Sequence, residues 1–435
     1  MLSSNKKAAQ AAFFIYPQNM KKNIALAFSI FTLLFIAAGF SFLYWFPRLL
    51  PTGFVMMLTD EGLHPLLQSS KKEVIPHRYI ALLGDSYAAG MGDWATAEMS
   101  KPQARYSTAH LLQDATGKDV ISFGSAGAGS VRGIVTEPVS QLAYLKQYIS
   151  SDIEQPEWML IYFYEGNDLY DNAAYFHYGF PRLFDLTKQF DSVTYQQYLQ
   201  KFAIDRDDTM QIVKANDWLR HWPFLNFSNT FIRTLAGMQP RKIGGQGADV
   251  DSTLDPPWIM GGASFRTPGK MNQARISNQI VQLPDSLQGP ALALNADELK
   301  QAWFAFDQSL QFTRKKFPDT HFMLVYIPSV LSTYELQSEQ ISVQTYERRE
   351  RIFTRQQLLE SSQQMRNTFI KMANDKQLPF VDTTDAMQSA AKIKALHGPE
   401  DWNHPNQEGY RVMTESIIQQ LEPLLVNMTP RVNAP

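Results

Sequence analysis

Five short apolar runs constrain this chain more than anything else in it: Tyr79 to Leu83, Val120 to Phe123, Trp158 to Tyr164, His321 to Ile327 and Leu378 to Val381. Runs of this length and near-continuous hydrophobicity suit strands covered on both faces, which is the condition of a parallel sheet. Helical spacing fills the gaps between them. Val139, Leu142, Leu145 and Ile149 repeat at helical intervals between the second and third runs. Asn295 followed by Glu298 forms a capping pair, opening a helix that carries Trp303, Phe306 and Leu310 ahead of the fourth run. A last helix sets Tyr410, Met413, Ile417 and Leu421 on one face. This alternation predicts an α/β protein, a flavodoxin-like three-layer α/β/α sandwich around a five-stranded parallel sheet.

A chain of 435 residues, 44% hydrophobic, is long for one such sandwich. More than a hundred residues separate the third strand from the helix near Asn295, far beyond an ordinary crossover. An insertion is therefore expected at 173–296. Its first half carries Trp218, Trp222, Phe224, Phe227 and Phe231, read as the small core of a helical subdomain ahead of a carbohydrate-stacking or acyl-chain surface. Gln239 to Pro257 is rich in Gly, Pro and Asp and reads as loose. Glu347 to Arg355, dense in charge, reads as a solvated helix face.

The segment from Asn23 to Phe46 carries no charge and is long enough to cross a hydrocarbon core of about 30 Å as a helix. A signal peptide would have an apolar core of only about 7–15 residues ending at a small-residue cleavage site. Here Ala37-Ala38-Gly39 is followed by more apolar sequence, so a retained inner-membrane anchor is expected. Lys6, Lys7, Lys21 and Lys22 precede the span and Arg48 follows it, which predicts a cytoplasmic N-terminus and a single pass. The bulk of the chain is then periplasmic or otherwise extracytoplasmic, with Tyr44 and Trp45 at the outer interface. The resulting division is a tail over 1–22, a transmembrane helix over 23–46, a linker over 47–77, a discontinuous α/β domain over 78–172 and 297–425, the insertion over 173–296, and a tail over 426–435.

With 40 basic against 42 acidic residues the net charge is -2, which offers no field for nucleic acid. The absence of cysteine excludes disulfides, thiolate catalysis and an acylated lipoprotein cysteine. His64, His77, His110, His177, His221 and His321 form no metal-binding pattern, and no metal is expected. Gly244 to Gly247 lacks the strand and the Lys-Ser or Lys-Thr of a phosphate loop, so no nucleotide cofactor is expected either.

The chemistry is concentrated in a few turns. The first strand runs into Gly84-Asp85-Ser86, followed by the small residues Ala88, Ala89 and Gly90. Open parallel sheets place active sites at the C-terminal ends of their strands, so Ser86 stands where a nucleophile belongs, although a serine there also suits a helix cap. A serine hydroxyl needs a base and oxyanion donors to act. Asp401-Trp402-Asn403-His404 places a carboxylate and an imidazole on one short segment, as a base and its orienting group require. His397 is the rival base, without a carboxylate at that spacing, and Glu400 is the rival carboxylate. The third strand ends in Glu165-Gly166-Asn167-Asp168, whose Asn167 amide is a neutral donor suited to a developing negative charge or, alternatively, an ordinary turn asparagine.

These blocks, in this order, resemble the SGNH or GDSL hydrolase superfamily over Arg78 to Asn172 and Asp297 to Leu425. The resemblance implies Ser86 as nucleophile, His404 as base and Asp401 as its partner. It also implies an oxyanion hole formed by Ser86, Asn167 and one glycine after the second strand. Gly127 fits that place best, with Gly124 and Gly129 as rivals. Asp168 is expected to be structural. Two departures stand out: Tyr87 follows the nucleophile where leucine is common, with no contact to the chemistry expected, and Ser122 replaces an asparagine, which alters how the Gly127 loop is held. The implied activity is hydrolysis of an ester, such as an O-acylated surface glycan or a lipid, through a Ser86 acyl-enzyme. An O-acyltransferase of envelope polysaccharide using the same residues is the alternative, and a non-catalytic envelope assembly or glycan-binding protein a further one.

Overall fold

The computed structural model describes residues 3–179, 191–201, 205, 207–236, 269–344 and 350–428. Among these described residues there are ten strands: β1 (Ile80–Leu83), β2 (Val120–Ser122), β3 (Trp158–Tyr164), β4 (Gln273–Ile276), β5 (Gln279–Gln282), β6 (His321–Ile327), β7 (Glu335–Leu336), β8 (Gln340–Gln344), β9 (Glu350–Thr354) and β10 (Phe380–Asp382). Five of them make one sheet in the order β10-β6-β3-β1-β2. Every pairing in it is parallel. These are the five apolar runs, and in chain order they give the flavodoxin-like arrangement 2-1-3-4-5.

Strand alternation divides the core between two faces. Ala81, Leu83, Ile121, Met159, Ile161 and Phe163 point to one side, where Leu142, Leu145, Phe306, Leu310 and Phe369 cover them from helices. Ile80, Leu82, Val120, Leu160 and Tyr162 point to the other, against Leu112, Met387, Tyr410, Met413, Ile417 and Leu421. The helices lie where their periodicity put them, Glu137–Tyr148, Ala296–Lys316 and Gln407–Met428 among them. Asn295 and Glu298 form a reciprocal capping box at the start of the second of these.

Several expectations are corrected. The stretch expected as a tether over 47–77 forms the short helices Thr52–Leu58 and His64–Leu67, with Val55, Leu58, Leu63, Leu66 and Leu67 buried in the main core. The described part of Glu347 to Arg355 is mainly a strand, because β9 pairs antiparallel with β8, whose Ile341 and Val343 are buried on alternate positions. The tail of the insertion is not separate either, since β4 pairs with both β5 and β7. Gln239 to Pro257 and Gly244 to Gly247 lie outside the described residues.

The N-terminal apolar run is used in two ways. No single helix among the described residues is long and apolar enough to cross a membrane; the pieces Lys22–Ala37 and Ser41–Leu49 meet at 82° and qualify only together. The break falls at Gly39, a residue type that resists kinking least. At about 1.5 Å per residue the first piece is roughly 24 Å long, short of a core of about 30 Å. Its apolar side chains from Ile24 to Ile36 are largely exposed. The second piece turns inward: Phe42 is fully buried, its ring 5.4 Å from Phe227, and the Phe46 ring lies 5.6 Å from Phe224 and 5.3 Å from Phe227. Thus two phenylalanines of the insertion form a core with the N-terminal helix rather than with one another alone, and Trp218 and Trp222 stay exposed.

Candidate active site

The turn after β1 is built by Gly84, whose φ of 141° lies in the region that favours glycine, and a Cβ there would stand 2.9 Å from the Tyr162 carbonyl oxygen. The chain reverses into the four-residue helix Ser86–Ala89, capped by the Asp85 carboxylate, which accepts from the Tyr87 N–H at 2.9 Å. Ser86 is thereby held at the C-terminal end of β1, beside the point where the sheet order reverses between β1 and β3.

His404 reaches the same place from the loop before the last helix. Its Nε2 lies 2.8 Å from Ser86 Oγ, and its Nδ1 lies 2.6 Å from Asp401 Oδ2. The carboxylate holds the proton on Nδ1, which leaves Nε2 as the acceptor for the serine hydroxyl. Asp85 Oδ2 also faces Ser86 Oγ, but at 3.4 Å, so the histidine is the better-placed acceptor. Asp401 is raised by burial, yet the His404 hydrogen bond and charge, with the Asn403 N–H, leave it net below the usual carboxylate range. The loop itself is pinned where Asp93 accepts from the Glu400 N–H at 3.0 Å and Tyr410 donates to the Met91 carbonyl at 2.7 Å.

The remaining predicted residues divide clearly. Asn167 is buried at the start of helix Asp168–Ala174, its amide against the Asp85 carboxylate and its Oδ1 without a partner. Gly127 sits in the turn after β2 with φ 65°. Among the described residues neither its N–H nor that of Ser86 enters a backbone hydrogen bond. Gly124 is instead wedged against Ala88 and Ala89, and a Cβ on Gly129 would stand 2.9 Å from Asn172 Oδ1. Ser122 does hold the Gly124 end of this loop, donating to the Ala88 carbonyl at 2.7 Å and accepting from the Gly124 N–H at 3.0 Å. His397, the rival base, is buried with Nδ1 on Tyr334 Oη at 3.1 Å, and burial with the nearby His404 pushes it down to about 3. Glu400 is exposed, and its N–H, not its carboxylate, meets the loop's neighbour Asp93.

Tyr87, Asp171 and Glu165 escape the sequence reading, while Asp168 has the structural place expected of it. Tyr87, expected to stand apart, donates to the Asn403 carbonyl at 2.9 Å and lays its ring 4.0 Å from Tyr164 and 5.7 Å from His404. The first turn of its short helix aims it across to the histidine loop. Asp168 and Asp171 are buried near Asp85, and burial, the Asp85 charge and, at Asp168, that of Asp171 push both well above the ordinary range. Asp168 Oδ2 accepts from the Tyr164 N–H at 2.9 Å and closes the turn that carries Asn167. Glu165 is buried among hydroxyls; the only hint in the sequence is a carboxylate directly after seven residues of buried strand.

No family model matches the chain, and no curated protein matches it. It is similar to a solved lipase/acylhydrolase from Enterococcus faecalis, 12% identical over 80% of this chain and 97% of that one, with a TM-score of 0.29. It is also similar to a solved GDSL-like lipase from Bacteroides thetaiotaomicron, 12% identical over 80% of this chain and 89% of that one, with a TM-score of 0.26. At such scores no role carries over, and the site is read from its own geometry.

Proposed function

We propose that the chain is a serine esterase or deacylase, of the SGNH kind its motifs resemble, acting on an O-acyl ester of a surface glycan, a lipid or a similar substrate. The observation that carries this reading is the continuous line from Asp401 through His404 to Ser86, with bonds of 2.6 and 2.8 Å. A binding protein has no need of a serine hydroxyl aimed at a carboxylate-backed imidazole.

In this reading Ser86 Oγ attacks the ester carbonyl carbon while its proton passes to His404 Nε2. The carbonyl oxygen becomes an oxyanion, taken up by the N–H groups of Ser86 and Gly127 and the Asn167 side-chain amide. As the tetrahedral adduct collapses, the bond to the alcohol breaks and His404 returns the proton to it. Water then attacks the Ser86 acyl-enzyme, giving its proton to His404, and the acid leaves as Ser86 recovers its hydrogen. Asp401 supports the imidazolium in both halves.

The exposed apolar side chains from Ile24 to Ile36, after a lysine-rich stretch, support attachment to a membrane with the N-terminus cytosolic and the α/β domain outside. Protease added to spheroplasts is expected to digest the α/β domain; protection would overturn that orientation.

The enzyme reading is tested with a fluorophosphonate probe and a short-chain chromogenic ester on the full chain in detergent. Labelling and turnover should vanish in Ser86→Ala. Equal labelling of wild type and variant would remove Ser86 as the nucleophile. Adding an oligosaccharide acceptor separates hydrolysis from acyl transfer: acyl groups reaching the sugar faster than water would replace the esterase with the transferase.

A further inference from the structure

Glu165 is a fully buried carboxylate whose oxygens accept four side-chain hydrogen bonds, and none of these partners is a cation. Oε2 accepts from Tyr326 Oη at 2.6 Å and Ser362 Oγ at 2.9 Å. Oε1 accepts from Ser329 Oγ at 3.0 Å and from Ser332 Oγ. All four acceptor sites of a carboxylate are therefore filled, by donors from the end of β6, the turn and short helix after it, and the helix Arg355–Asp375. The Glu165 N–H adds a bond to the Ile327 carbonyl at 2.9 Å.

Stability alone does not explain this arrangement, because replacing a buried hydrogen-bonded group and its partners by apolar side chains of the same shape is commonly neutral or stabilising. Position does. Glu165 lies two residues before Asn167, and little in between can flex independently. A Cβ on Gly166 would come within 2.5 Å of the Tyr164 ring, so the turn is packed closely against its own strand. On its far side Asp168 ties back to the Tyr164 N–H at 2.9 Å. Asn167 thus sits between two carboxylate pins, one holding the turn to β3 and one holding it to β6 and its helices. Its backbone, at φ -134° and ψ -24°, is not helical, and its only tie to the helix it precedes among the described backbone bonds is its carbonyl, which accepts from the Asp171 N–H at 2.8 Å.

We infer that Glu165 is a positioning residue for the oxyanion amide of Asn167, working through the Tyr326, Ser329, Ser332 and Ser362 hydroxyl cluster. The inference rests on the esterase reading of the same site. It touches no substrate; its effect is to keep the Asn167 amide where the oxyanion forms, an interaction that matters in the transition state and little in the ground state. A displacement of the order of 1 Å at such a donor is enough to cost about 10²-fold in rate.

The test is a double-mutant cycle on the full chain. Glu165→Gln keeps the shape but replaces two acceptor sites with donors, and it should lower kcat about tenfold with KM unchanged, within the ceiling set by loss of one oxyanion donor, about 10²–10³. In an Asn167→Ala background the same substitution should change kcat less than about twofold, since the group it positions is gone. A merely structural glutamate would instead give the same fractional loss in both backgrounds, and that result overturns the inference. Ser362→Ala, which removes one donor and leaves the turn untouched, serves if Glu165→Gln does not fold; it should show the same dependence on Asn167, and independence from it would again refute the idea. Failure of the esterase reading looks different: wild-type protein would show no Ser86-dependent turnover at all.

Discussion

Replacing Asp401 by asparagine isolates what the carboxylate contributes, because the two groups are nearly the same size. The wild-type pair is 2.6 Å apart, with the Asp401 side chain 27% exposed and that of His404 11%. Charges about 4 Å apart at an effective dielectric near 20 interact by about 4 kcal/mol, and each ~1.4 kcal/mol is a factor of ten, so losing the imidazolium's partner costs about 10³ in kcat. Water reaching the open edge of Asp401 lowers that figure, and loss of the tautomer raises it. With an asparagine NH₂ turned toward it, Nδ1 becomes an acceptor, the proton moves to Nε2, and the base no longer receives the Ser86 hydrogen; the equivalent exchange in serine-protease triads costs about 10⁴. The expected result for Asp401→Asn is a fall of about 10³ in kcat and in the rate of fluorophosphonate labelling, with KM nearly constant. Asp401 is held below the usual carboxylate range, so in the wild type it stays charged wherever His404 can act as base. Its support of the fold is full above an ordinary aspartate pKa of about 4 and is lost only as the pH falls through its lower folded value. Less than a tenfold loss, or a loss confined to KM, would refute the orienting role.

Tyr87→Phe keeps the ring stack and deletes the bond to the Asn403 carbonyl; a loss of about 1 kcal/mol in thermal or denaturant stability and a few-fold drop in kcat are expected, and unchanged kinetics would remove the link between the two catalytic turns. Phe227→Ala empties a site shared with Phe42 and Phe46 and should destabilise the docked N-terminal helix by about 3–5 kcal/mol, seen as much faster tryptic cleavage near Arg48; an unchanged digestion rate would contradict the docking. His110 and His397 are buried and neutral, both pushed down to about 3 chiefly by burial. Their unfolded forms take up protons near pH 6.5, so together they lower stability by about 3 kcal/mol per pH unit as the pH drops from 6 toward 4, while Asp168 and Asp171, pushed well above the ordinary range, act in the opposite direction; the histidine part is the difference in pH slope between wild type and a His110→Gln/His397→Gln variant, and an identical slope in both would count against it.

How much of this was readable in advance follows from how many neighbours a residue needs before its role is defined. The strands were legible because burial on both faces leaves a local record: Trp158 to Tyr164 is apolar at every position but for its phenol and indole tips. Asp401 and His404 were legible as a pair because one turn supplies both. Ser86 and Asn167 needed partners from distant segments, and only their positions at strand ends marked them. Glu165 shows where this stops. Its four hydroxyl donors come from positions 326, 329, 332 and 362, each an unremarkable serine or tyrosine in its own stretch. Nothing local distinguishes a glutamate closing a strand into solvent from one closing it into such a cluster. Tyr87 is a similar case, since its partner carbonyl on Asn403 is more than three hundred residues away.

The N-terminal run reads as one straight helix for a different reason. Hydropathy is a property of side chains one at a time, and an apolar residue facing lipid has the same composition as one facing a protein core. From Asn23 to Phe46 the sequence carries no charge and is dominated by apolar residues, so a window over it reports a single segment. Partners decide otherwise. The residues from Ser41 onward meet Phe224 and Phe227, and Asp60 in the supposed linker accepts from Tyr144 Oη at 2.8 Å, Asn226 Nδ2 at 2.7 Å and the Arg220 guanidinium. Linker, insertion and the helical piece from Ser41 onward are thereby packed together. A domain on a flexible tether samples many heights and orientations above a surface, whereas one held this way presents the end of β1, and Ser86 with it, over a narrower range of angles to whatever the exposed residues from Ile24 to Ile36 occupy. Loosening this packing at Phe227 should therefore leave turnover of a small soluble ester unchanged while altering turnover of an ester embedded in vesicles.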